Sequence, residues 1–257
     1  EMSASLVGSE MCIRDSAHGG ENVETALRDS CNIFFYNCAK RLGITKMNEY
    51  ASAFGLGQKT GVEIAESAGT LAGPEEREAA GGVWQSGDTI QAGIGQSDNL
   101  FTPLQLSNYC ATVANGGTRY QLHLVQSLID NSSGTVTETQ PKIEESLDLH
   151  KSTLTAVKSG MRLVATQGAP SLIFNQLRTE VAAKTGTSQV FVNGVKKNNG
   201  FLITFAPYDN PEISVASVVE LAGSGTSTAE ITSSIIKYWY QNNTDEKTNQ
   251  KTGALLN

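Results

Sequence analysis

Apolar residues between 23 and 42 recur at helical spacing: Val23, Ala26 and Leu27, then Ile33, Phe34, Tyr36, Ala39 and Leu42. Ser30-Cys31-Asn32 interrupts the run with residues that favour helix caps, which predicts two helices meeting there. Thr45 is placed to cap a further helix through Ala53, closed by Gly55 and Gly57. Residues 65–82 are rich in glycine and glutamate and show no period. Residues 89–94 read as a short strand leading into a Gly-Ile-Gly-Gln stretch, and Thr102-Pro103 opens a helix that ends near Asn115-Gly116-Gly117.

The second half changes character. Residues 120–129 alternate weakly and run into the turn Asn131-Ser132-Ser133-Gly134. Ser152 is positioned to cap an amphipathic helix with Leu154, Val157, Met161 and Val164 on one face. Three segments rich in Val, Ile and Phe follow, at 181–192, 201–206 and 213–219, and each reads as a strand. Asn193-Gly194 and Tyr208-Asp209-Asn210-Pro211 supply their turns. A last helix over 227–241 would cover one face of that sheet. Helices first, then antiparallel strands and a covering helix, predict an α+β or mixed α/β domain, with no internal repeat.

A chain of 257 residues is long enough to bury one large core, with or without a small lobe. Nineteen basic residues against 26 acidic ones give a net charge of −7 with no basic cluster, which argues against nucleic acid and anionic membranes as partners. No apolar run approaches the roughly 20 residues needed to cross a bilayer. Cys12, Cys31, Cys38 and Cys110 show no metal-ligand spacing and read as buried thiols. His18, His123 and His150 are scattered, so neither a metal nor a cofactor is expected. Residues 1–16 have no period and no signal-peptide layout. They resemble translated adapter sequence joined in frame, so a non-native leader is expected over 1–16, a domain over 17–241 and a disordered polar tail over 242–257.

Candidate chemistry centres on Lys-Thr-Gly, which occurs at Lys59-Thr60-Gly61, Lys184-Thr185-Gly186 and Lys251-Thr252-Gly253. The first copy lies in a glycine-rich loop and the last in the polar tail. Only Lys184 sits inside an apolar strand pattern followed by a hairpin. An edge strand there would offer free backbone groups to an extended peptide. The Lys184 ammonium and the Thr185 and Thr187 hydroxyls could engage a carboxylate or a reacting serine, and Gly186 would permit close approach. Far upstream, Ser30 offers a hydroxyl able to relay a proton and Asn32 an amide able to hold a carbonyl.

In order along the chain, SCNIFFYNCAKRLGI, FGLGQKTGVEI, QAGIGQSDNLFTPLQLSNYCATVANGG and AAKTGTSQ resemble the transpeptidase domain of penicillin-binding proteins. The resemblance runs from Ala17 to about Gln241 and looks most like the elongation-type class B enzymes of Gram-positive bacteria. It implies the penicillin-binding-protein and serine β-lactamase-like fold, without a cofactor. The implied activity is cross-linking of peptidoglycan stem peptides ending in D-Ala-D-Ala, with acylation by β-lactams. The implied setting is extracytoplasmic, on a membrane-anchored parent working with cell-wall elongation machinery. Ser30 and Asn32 then fall on the family's second motif, and Lys184, Thr185, Gly186 and Thr187 on its third. The Thr187 N–H would lie in the oxyanion hole. Gln96 and residues 102–105 match a stretch bordering the site and are given no chemistry.

One family element is not found. No serine before Ser30 is followed three residues later by lysine, so the nucleophile motif is missing and the chain is expected to be an inactive C-terminal portion. The sole Ser-x-x-Lys, Ser234 to Lys237, falls in the last predicted helix. Two alternatives are a serine β-lactamase, for which Glu144 and Glu145 are faint candidates as deacylation base, and a non-catalytic scaffold module.

Overall fold

The computed structural model describes residues 20–253, so the expected leader over 1–16, which holds Cys12, lies outside the described residues, as does His18. Helix α1 (Val23–Asp29) begins at an Asn22 capping box completed by Thr25. Helix α2 (Asn32–Ala53) is kinked at Gly43, whose φ of 75° takes it out of helical geometry. The two helices meet at Ser30-Cys31 as the capping residues predict. Cys31 is disulfide-bonded, which corrects the reading of it as a thiol. Cys38 and Cys110 are free.

Two expectations fail between 65 and 94. Helix α3 (Pro74–Ala79) occupies part of the segment without a period, started by its first-turn proline and two acidic residues. Helix α4 (Ser86–Ala92) stands where a strand was expected at 89–94. Its start is fixed by Asp88, whose carboxylate accepts from the Gln85 N–H at 2.8 Å, a local bond that outweighs the apolar run behind it. Helix α5 (Pro103–Ala114) follows, with Thr102 and Gln105 forming its capping box.

Strands β1 (Thr118–Tyr120), β2 (Ser127–Ile129), β3 (Val136–Glu138) and β4 (Ile143–Ser146) form two small antiparallel pairs, β1 with β4 and β2 with β3. The expected turn at 131–134 joins β2 to β3. Helix α6 (Lys151–Gln167) takes His150 as its N-cap, not Ser152. The short α7 (Ser171–Phe174) leads into the main sheet.

That sheet is antiparallel, in the order β5 (Ala182–Val192), β6 (Val195–Ala206), β7 (Ile213–Val219). Asn193 and Gly194 both have positive φ, 50° and 74°, the geometry of a two-residue hairpin turn. That tight turn lets β6 pair with β5 from Val195 onward, six residues before its expected start. A 3-10 turn, Gly225–Thr228, leads into α8 (Ala229–Gly253). α8 continues past Asn242, the expected start of a disordered tail. The side-chain amides of Asn242 and Asn243 bond back to the carbonyls of Tyr238 and Trp239 there.

One core cluster joins α6, β5, β6 and α8 through Val164, Val181, Ala183, Leu202 and Ile236, all essentially inaccessible. A second joins α5, α6 and the sheet through Cys110, Val113, Met161 and Phe205. Truncating a side chain such as Phe205 there would cost about 3–5 kcal/mol. Among the described residues no helix is long and apolar enough to cross a membrane.

Candidate active site

Helix α6 is the bracket that brings the two halves of the site together. Its buried face packs on β5, and Arg162 ties it there by donating to the Val181 carbonyl at 2.9 Å. Its other side carries α1. Gly160 makes that contact possible, since a Cβ there would lie 2.6 Å from Leu27 Cδ1 and 3.1 Å from Glu24 Cα. The C-terminal end of α1 is thereby held against β5.

Ser30 ends α1 in the left-handed region, with φ 52° and ψ 47°. That conformation costs a non-glycine residue about 1–2 kcal/mol and is concentrated at functional sites. It is sustained by the next residue, whose N–H bonds to the Ala26 carbonyl at 2.9 Å. The buried pair Ala26 and Cys31, packed among Ile33, Phe34 and Phe35, holds the junction from beneath.

From β5, Lys184 reaches across, and its Nζ donates to Ser30 Oγ at 2.7 Å, 154 residues away in sequence. The same ammonium donates to the Thr185 carbonyl at 2.7 Å. Both are short, charge-assisted bonds that fix the lysine head. Asn32 is the first residue of α2, half-buried and two positions from Ser30. Thr185, Gly186 and Thr187 continue along β5, in register with Leu202, Phe201 and Gly200. Among the described residues β5 pairs only with β6, leaving its other edge outside any sheet.

Gly225 packs closely on the strand at Gly186: a Cβ on Gly225 would fall 2.5 Å from the Gly186 carbonyl oxygen. Gln96, given no chemistry from sequence, donates from Nε2 to the Thr187 carbonyl at 3.0 Å. Its sequence signal was the family stretch bordering the site, which placed it nearby without naming its partner.

The decoys sort themselves by partner. Ser234 is exposed on α8 and returns its hydroxyl to the Glu230 carbonyl at 2.9 Å, an ordinary helix bond. Glu144 lies in β4 and pairs with Lys142 at 2.7 Å. That lysine holds its carboxyl below the usual range, a poor setting for a general base.

The family described as penicillin binding protein transpeptidase domain matches residues 9–237. The peptidoglycan D,D-transpeptidase MrdA of Escherichia coli K12 is 32% identical over 263 residues, covering 93% of this chain and 41% of that protein. Penicillin-binding protein 2A of Bacillus subtilis is also 32% identical, over 78% of this chain and 31% of that one. Equal identity to both does not single out the Gram-positive enzymes. Among solved structures, PBP2 of Helicobacter pylori in complex with MreC superimposes with a TM-score of 0.76 at 25% identity, over 89% of this chain and 42% of that one. The chain therefore spans about a third to two fifths of the length of these relatives.

Proposed function

The chain belongs to the penicillin-binding protein transpeptidase family, and from that premise we propose that it supplies two of three motifs of a peptidoglycan D,D-transpeptidase site. The observation that carries the reading is the 2.7 Å bond from Lys184 to Ser30, which joins residues of the second and third motifs.

In this reading a serine from a Ser-x-x-Lys motif attacks the carbonyl between the two terminal D-alanines of a stem peptide. The Thr187 N–H stabilises the oxyanion that forms. Ser30, coupled to Lys184, passes a proton to the departing D-alanine amine, and the donor peptide remains as an ester on the nucleophile. An acceptor amine then attacks that ester and releases the serine. Lys184, Thr185 and Thr187 bind the substrate carboxylate, and Asn32 holds the substrate amide. Gly186 keeps the strand open to an extended peptide. A β-lactam presents the same carboxylate and carbonyl and stops at the ester. The parent is then an extracytoplasmic protein anchored by a segment other than those described, working in cell-wall elongation machinery. The H. pylori relative was solved with MreC, which supports that setting.

Fluorescent penicillin on a denaturing gel tests this. The full-length protein should show a covalent band, and the 257-residue chain, without a serine-lysine pair ahead of Ser30, should show none. An unlabelled full-length protein would overturn the function. A labelled 257-residue chain would overturn the expectation that this chain is inactive.

A further inference from the structure

Resting on that reading of Thr187 as the oxyanion donor, we infer that Gln96 is a positioning residue that holds the donor peptide in its working orientation. Two peptide planes meet at the Thr187 Cα. The one before it carries the Gly186 carbonyl and the Thr187 N–H, and Gly225 backs it closely enough that a single added carbon would collide. The one after it carries the Thr187 carbonyl, and Gln96 Nε2 holds that oxygen at 3.0 Å.

A residue in a strand directs its N–H and C=O to the same side. The Thr187 N–H therefore faces the side from which Gln96 approaches. The Gly186 carbonyl of the donor peptide faces β6, in register with Phe201, so the ladder holds that peptide from one side. On the free edge the Thr187 carbonyl has no ladder partner. An oxyanion donor contributes most when it is already aimed before the charge appears, so an edge strand needs an outside clamp.

Gln96 is suited to the task because its own backbone is fixed. Its N–H bonds to the Gln91 carbonyl at 3.0 Å, and its carbonyl accepts from Asn99 Nδ2 at 3.1 Å. Asn99 is anchored in turn by accepting from the Ala72 N–H at 2.9 Å. Arg77 braces the next two residues, donating to Ser97 Oγ at 3.2 Å and to Asp98 at 2.5 Å. Ser97 takes a left-handed turn, φ 64°, within this bracing. Such a loop acts as a fixed post and not as a swinging gate.

The test uses Gln96→Ala and Gln96→Glu in the full-length protein. Acylation by fluorescent penicillin is resolved into a rate at saturation and a half-saturation concentration, with a melting curve alongside. The saturated rate should fall about tenfold in Gln96→Ala, less than the loss of a whole oxyanion donor. It should fall further in Gln96→Glu, which keeps the shape but cannot donate. Half-saturation and melting temperature should hold. An unchanged rate, a loss confined to half-saturation, or a rate loss matched by a lower melting temperature would overturn the inference.

Deuterium exchange at the Thr187 amide of the 257-residue chain provides a readout free of catalysis. Faster exchange in Gln96→Ala supports the clamp, and unchanged exchange refutes it. If the wild-type full-length protein takes no penicillin, the function fails while this exchange still decides the clamp.

Discussion

Residues 59–61 and 184–186 carry the same three side chains in the same order, yet their surroundings lead them in opposite directions. At the first, Glu66 reaches back over the turn. Its carboxylate accepts from the Thr60 N–H at 3.0 Å, the Thr60 hydroxyl at 2.8 Å and the Gly61 N–H at 2.8 Å. The groups suited to a foreign carboxylate are already filled by the chain's own, Thr60 is buried, and Lys59 is exposed. At the second copy the triplet is extended in β5, Lys184 meets a serine from a distant helix junction, and the strand edge has no strand neighbour among the described residues. A tripeptide is thus a donor set without a destination. An internal anion makes the first copy a structural turn, and a hydroxyl from a segment distant in sequence makes the second a candidate site.

The widest separation between the two copies should come from removing each lysine in the full-length protein. Lys184→Ala should slow penicillin acylation by about a hundredfold or more, the scale of a lost proton-transfer partner. Lys59→Ala should leave the rate unchanged. Similar losses in both variants would erase the distinction.

A smaller effect separates them by stability. Glu66→Gln should destabilise the fold by about 1 kcal/mol in chemical denaturation, less than a buried hydrogen bond to a charged group because solvent screens this carboxylate, without altering acylation. Burial raises the Glu66 pKa, but the Thr60 and Gly61 donors and the Lys59 charge outweigh it, leaving the net value lowered. A lowered folded pKa means that the stabilisation is present above the ordinary glutamate range and is lost as pH falls through the folded value. Wild type and Glu66→Gln should therefore differ at pH 7 and converge toward acid. A constant difference across that range would show that the charge is not what the turn uses.

The smallest expected effect falls on Ser30. Ser30→Gly removes the cost of a left-handed serine while loosening the unfolded chain, so stability should rise by no more than about 1 kcal/mol. Acylation should fall as the hydroxyl is lost. A clear loss of stability in melting experiments would mean that the Lys184 bond outweighs the strain, making this contact structural as well.

Much of the framework could be read directly from local pattern. The Ser30-Cys31 break, the Thr102-Pro103 start and the Asn193-Gly194 turn act within a few residues, through caps and backbone preferences that travel with the residue type. The helix α4 was misread because Asp88 and Gln85 form a cap three residues apart that the apolar run concealed. Of the site, Lys184 was legible from its apolar strand setting, and Ser30 only from its order along the chain relative to Lys184 and the family resemblance. Gln96 was legible only as bordering the site, because a glutamine in a loop has no partner until the loop is placed.

The residue types alone settled where α1, α5 and the β5–β6 turn fall, which lysine lies in an apolar strand, and that its neighbours suit carboxylate and acyl chemistry. Tertiary structure decided which groups meet. Gly160 lets α1 rest on α6, α6 rests on β5, and only that stacking closes a gap of 154 residues to 2.7 Å. Local preferences decay within a few residues, whereas a hydrogen bond between distant segments exists only once packing has fixed both of its ends.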